Sequence, residues 1–175
     1  MAKNDAWLAS GAEAALEPEL EICDPHHHLW LNQPHRISPR YGFEEIHRDV
    51  SAGHTITSTV FIEAATMYRA DGPAVMRPVG ETEFVNGIAA MAASGDYGPC
   101  RIAAGIVGAV DLTLGVAIAP ALDAHIAVAG GRFKGIRHGV AWDADPALPD
   151  VRTKPGPELL MDARYRAGVA EVASR

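Results

Sequence analysis

Ile22-Cys23-Asp24-Pro25-His26-His27-His28-Leu29-Trp30 closes a short apolar run with three consecutive imidazoles. In extended backbone, side chains at i and i+2 project from one face, so His26 and His28 share a side and His27 takes the other. Two neutral imidazoles on one side can close on a single divalent ion, with Zn–N bonds of roughly 2.0–2.1 Å. The run at 20–24 reads as a first strand. Asp24-Pro25 is expected to end it, because the residue before proline avoids the helical region. Open α/β sheets commonly follow their first strand with a glycine-rich phosphate loop. Here histidines stand in that place, and no G-x-G-x-x-G or Walker pattern occurs in the chain.

Working outward, strands and helices alternate. A surface helix is expected over 5–16 (Trp7, Leu8, Ala12, Leu16), stopped by Pro18. Phe43, Ile46 and Val50 fall at helical spacing before Gly53. Residues 57–65 (TSTVFIEAA) are β-branched and apolar, the pattern of a strand buried on both faces. Phe84, Val85, Ile88 and Met91 predict a third helix ended at Ser94-Gly95, and 102–110 a third buried strand. Ile118, Leu122 and Ile126 predict a helix closed by Gly130-Gly131, with Pro120 marking a break or a first-turn position. Residues 133–140 (FKGIRHGV) read as a fourth strand. After a Pro-rich loop over 142–157, Tyr165, Val169 and Val172 predict a last helix with Asp162 as N-cap. Strands starting near 20, 57, 101 and 133 are spaced like βα units of roughly 30–40 residues. Buried strands alternating with helices imply a parallel sheet covered by helices.

At 175 residues the chain is read as one domain, with 1–19 as an N-terminal extension. A net charge of −7 without basic runs argues against nucleic acid or an anionic membrane surface as partner. No secretory signal pattern and no stretch of about 20 apolar residues is visible, so a cytoplasmic location is expected. Cys23 and Cys100 are too few and too far apart for a disulfide framework, and both are expected to pack as small apolar side chains.

The residues Asp24-Pro25-His26-His27-His28-Leu29-Trp30, with Val60-Phe61-Ile62-Glu63-Ala64 and Phe133-Lys134-Gly135-Ile136-Arg137-His138 at later strand ends, resemble the amidohydrolase superfamily. The likeness is closest to its amidohydrolase-related branch, which holds sugar lactonases, 2-pyrone-4,6-dicarboxylate lactonase and several decarboxylases. D-x-H-x-H after strand one is matched by Asp24, His26 and His28. The likeness runs from about Trp7 to Arg175. It implies α/β architecture, with the chain as the N-terminal half of a (β/α)8 TIM barrel: four parallel strands with covering helices, hence a partial domain. It implies a hydrolase opening a lactone or similar cyclic ester. The family's further histidines, after strands five and six, and its general-base aspartate, after strand eight, have no counterpart here. Nor does the bridging lysine or glutamate of two-metal members, since Lys134 starts its strand. The chain alone is therefore expected to be inactive, the parent a one-metal enzyme.

The resemblance implies His26 and His28 as ligands of one divalent ion, zinc or manganese, although some lactonases of the branch are described as metal-free. Read from the residues, the alternative is a hydrogen-bonded histidine pair lining a polar pocket. Asp24 is expected either to orient an imidazole from behind or simply to start a turn. Arg137 suits a substrate carboxylate, with a salt bridge as the alternative. Glu63 is expected to touch substrate or to pair with Arg69 or another cation, and His138 is a weaker substrate contact on the side opposite Arg137. Tyr68 and Arg69 are expected on a solvated loop, and Trp142 over a ligand or in the core. The implied partner is a small anionic substrate. The rival readings are a non-oxidative decarboxylase of the same superfamily, and a non-catalytic fragment that binds metal or self-associates through the open edges of a half-barrel.

Overall fold

A computed structural model describes residues 7, 9–11, 13–36, 38–149 and 151–175. The apolar runs form four strands, β1 (Glu21–His27), β2 (Thr55–Ile62), β3 (Arg101–Gly108) and β4 (Phe133–Ile136), separated by α1 (Phe43–Val50), α2 (Val79–Ala93) and α3 (Ala119–Val128), with α4 (Ala163–Ala173) last. All three strand pairings are parallel and the spatial order is β1-β2-β3-β4. Sequential order without reversal leaves no switch point of the doubly wound kind among these strands. One core joins Phe43 and Ile46 of α1, Val85 and Ile88 of α2, Phe61 of β2, and Ile102 and Ile106 of β3. A second core, around Val110, Leu112, Ile118, Leu122 and Tyr165, seats α4 on the segment after β3.

Several boundaries differ from expectation. Proline does not end β1: the strand runs on to His27, and its register slips between Asp24 and His27. Among the described residues β1 pairs with β2 alone, and the register slip places Pro25 in a bulge, where no ladder N–H is needed. β2 stops at Ile62, and its burial is one-sided, with Thr59 and Phe61 buried but Val60 and Ile62 only half-buried. β4 ends at Ile136, four residues early, although the amide of Arg137 still donates to Gly108. Within the expected N-terminal helix, Leu8 and Ala12 lie outside the described residues, and Leu16 is exposed and non-helical. Cys23 is exposed on the edge strand and only Cys100 is buried. Ile126 is exposed while its neighbour His125 is fully buried. Pro120 takes a first-turn position, and the Asp162 carboxylate caps α4 by accepting from the Tyr165 amide at 2.8 Å. No helix among the described residues is long and apolar enough to cross a membrane.

α4 meets the chain after β3 at Gly168, where a Cβ would stand 2.4 Å from the Leu112 carbonyl oxygen. In an open helix Gly→Ala stabilises by about 1 kcal/mol. Gly168→Ala is expected instead to destabilise by about 1–3 kcal/mol through overpacking, read as a lower urea midpoint. A raised midpoint would contradict the close approach.

Candidate functional site

The C-terminal ends of all four strands bring the polar side chains together. His26 and His28 flank buried His27 at the end of β1, and their Nε2 atoms lie 3.2 Å apart. His28 Nδ1 stands 2.7 Å from the carbonyl oxygen of Ile62. A carbonyl only accepts, so Nδ1 carries the proton and Nε2 presents its lone pair. Two nitrogens each bound to one tetrahedral zinc stand about 3.3 Å apart. The 3.2 Å separation fits that edge and equally fits a hydrogen bond from His26 Nε2–H to the His28 Nε2 lone pair. Burial lowers the pKa of His28, partly offset by its bond to Ile62, and the Arg137 charge lowers it further. Both effects favour the neutral, ligating form. Among the described residues no group of three His, Cys, Asp or Glu is placed to hold a metal, and His26 and His28 by themselves could offer an ion two ligands.

Asp24 does not reach an imidazole nitrogen. Its carboxylate accepts from the backbone N–H of His26 at 3.1 Å, an Asx turn that spans Pro25. The group that orients an imidazole is the carbonyl of Ile62. His27 packs inward on Phe61 and meets Thr59 Oγ1 at 2.9 Å, so it belongs to the interior, as the alternation of faces requires.

Glu63, the residue after β2, is 4% exposed and doubly paired. Its Oε1 accepts from Nε and Nη2 of Arg137 at 3.0 and 2.8 Å, and its Oε2 from Nη2 of Arg152 at 2.8 Å. Arg69 is engaged with Glu83 instead. Arg137 is therefore not a free clamp, and Glu63 faces cations rather than open space. Both guanidiniums line a cavity of roughly 430 Å³, together with Lys154, His138 and Tyr68. Asp111 also lines it, but its carboxylate is taken by the amide and hydroxyl of Thr113. Arg137, Arg152 and Lys154 outnumber the carboxylates of Glu63 and Asp111, so the cavity keeps a net positive charge and favours an anion. His138 lines it beside Arg137 because regular alternation ends with β4 at Ile136, and its Nδ1 stands 3.3 Å from both the Leu112 amide nitrogen and the Val110 carbonyl oxygen. Trp142 is exposed and borders a separate groove.

Several residues behind the cavity carry no strong sequence signal. Glu81 is 1% exposed and accepts through Oε1 from the amides of Ala64 and Thr66 at 3.0 and 2.9 Å. Its Oε2 is buried without a hydrogen-bond partner among the described residues. Burial pushes its pKa up to about 7, against the pull of the two amides. Thr82 Oγ1 meets His125 Nδ1 at 2.8 Å, and His125 Nε2 meets the Ala109 carbonyl at 3.2 Å. That carbonyl makes Nε2 the protonated nitrogen, so Nδ1 accepts the Thr82 hydroxyl proton. Burial lowers the His125 pKa to about 4. Glu81 does extend the Val85 and Ile88 stripe by one helical turn, the one hint that it faces inward. Arg152 and Lys154 sit on an irregular loop, where periodicity carries no information. The Tyr68 hydroxyl is buried rather than solvated, and burial pushes its pKa up to about 12.

No family model, no curated protein and no solved structure matches this chain.

A carboxyl raised from 4.5 to about 7 holds a proton in the folded state that the unfolded state has released. Its contribution is present in full below the lower value and lost as pH rises through the upper one. The unfolding free energy of Glu81→Gln minus that of the wild type is therefore expected to rise by about 1 kcal/mol per pH unit across this window, then level off. Urea unfolding between about pH 5 and 8 checks this, and a pH-independent difference would contradict it.

Proposed function

We propose that these four βα units are the first half of a (β/α)8 barrel belonging to a metal-assisted hydrolase of the amidohydrolase-related kind. Its substrate is a lactone or similar cyclic ester bearing an anionic group. The observation that carries this reading is the pair of Nε2 atoms 3.2 Å apart, set at strand C-termini beside a cationic cavity. Sequential parallel strand order and polar groups gathered at strand C-termini support the barrel, whose active sites occupy that face.

His26 and His28 would hold the ion, zinc or manganese, while the Ile62 carbonyl keeps His28 in the ligating tautomer. When bound there, the ion supplies Lewis acidity toward a carbonyl and lowers the pKa of water. Arg137 and Arg152 receive the anionic substituent with the guanidinium N–H groups that Glu63 does not occupy, and Glu63 between them fixes the spacing of the two guanidiniums. Lys154 adds charge at the cavity wall. The proton of the attacking water goes to a general base, which the family resemblance assigns to an aspartate at the end of an eighth strand.

The test follows acid release from carboxylate-bearing lactones by the protein made from its full reading frame. Turnover is expected, and His28→Ala should lower it by about 100-fold or more. Undiminished turnover in that variant overturns the reading. Release of CO₂ without uptake of water points to the decarboxylase chemistry instead.

A further inference from the structure

The segment after β2 carries both Glu63 and Tyr68, yet its backbone is strained. Ala65 and Met67 have φ of 55° and 52°, left-handed values that cost of order 1 kcal/mol each outside glycine. What holds it is the first turn of α2. The left-handed residue turns the flanking amides of Ala64 and Thr66 toward one point, an anion-binding concavity, and Glu81 Oε1 occupies that point. Gly80 allows the approach, since a Cβ there would lie 2.5 Å from the Met67 carbonyl oxygen and 2.9 Å from the Arg69 nitrogen. Glu63 precedes the first of these two amides by one residue. Its carboxylate is the shared acceptor of Arg137 and Arg152.

We propose that Glu81 is a positioning residue of the cationic cavity: it ties residues 64–66 to α2 and, through Glu63, sets where Arg137 and Arg152 stand. For its bearing on substrate this rests on the anion-binding reading above; the arginine placement stands without it. The charged and titratable groups around Glu81 are Glu63 and Tyr68 from the segment after β2 and Arg152 from the loop after β4. His125 of α3 stands one step further, through Thr82. Loss of the Glu81 proton adds a second negative charge near Glu63, so the arginines feel the protonation state of a residue that does not touch them.

The experiment observes arginine Nε–H signals of ¹⁵N-labelled protein, with Arg137 assigned by Arg137→Lys. In the wild type this proton, held by Glu63, exchanges slowly with water. Glu81→Met keeps the length and removes the acceptor, and should raise the exchange rate about tenfold or more. Glu81→Gln, whose amide oxygen still accepts from Ala64 and Thr66, should restore protection. Should the Met variant not fold, the pH dependence decides: the wild-type Arg137 signal carries a step with a midpoint of about 7 that Glu81→Gln lacks, while any movement caused by His28 is common to both. Unchanged protection in Glu81→Met, or identical titration of wild type and Glu81→Gln, overturns the proposal. Inorganic sulfate added to the same samples separates the two readings. If wild-type arginine signals ignore sulfate, the anion-binding reading falls, while the Nε–H comparison still decides the role of Glu81.

Discussion

A carboxylate buried at a strand end is the constraint around which the polar face of this protein is arranged. Leaving Glu63 unpaired would cost several kcal/mol, so two cations from distant parts of the chain must come to it. Arg137 arrives from the end of β4 and Arg152 from the loop beyond it. The pairing draws that loop across the strand ends and closes one wall of the cavity. Because two guanidiniums share one carboxylate, the arrangement satisfies Glu63 and leaves positive charge facing the space it encloses.

Behind this face, two consecutive residues of α2 each hold one strand terminus. Glu81 takes the backbone after β2, and Thr82, through His125, takes the carbonyl of Ala109 after β3. Fully buried polar groups are tolerated there because each bond is made, apart from Glu81 Oε2. Burial of the carboxyl pushes its pKa up to about 7 against the pull of the two amides. The histidine pair depends on the same construction, since the carbonyl that fixes His28 belongs to Ile62, the residue before Glu63.

Much of the fold was legible because burial imposes a period. The run around Val60 and Phe61, the stripe from Val85 to Ile88 and the cap at Asp162 all follow from spacing and side-chain type. So did the opposed faces of His27 and its neighbours. Boundaries were harder to read. Pro25 looked like a stop, and is instead carried in a register slip between Asp24 and His27, a property of pairing rather than of local sequence. The same holds for β4, whose apparent alternation continues to Val140 although its pairing ends earlier. Within the site, His26, His28 and Arg137 stood out by chemistry. The partners of Glu63 could not be named, because Arg137 and Arg152 reach it from 74 and 89 residues away. Glu81 was hidden for a different reason: a glutamate at a helix start usually serves the solvent and the helix dipole, and only tertiary packing turns it inward.

The proposed chemistry requires His26 and His28 to act as one chelating pair. Zinc titrated calorimetrically into metal-free protein, and into the variant carrying His26→Ala and His28→Ala together, tests this most directly. One ion bound per chain, with affinity falling about 100-fold or more in the double variant, is the predicted result. Equal binding by the two proteins, or none by the wild type, would contradict it.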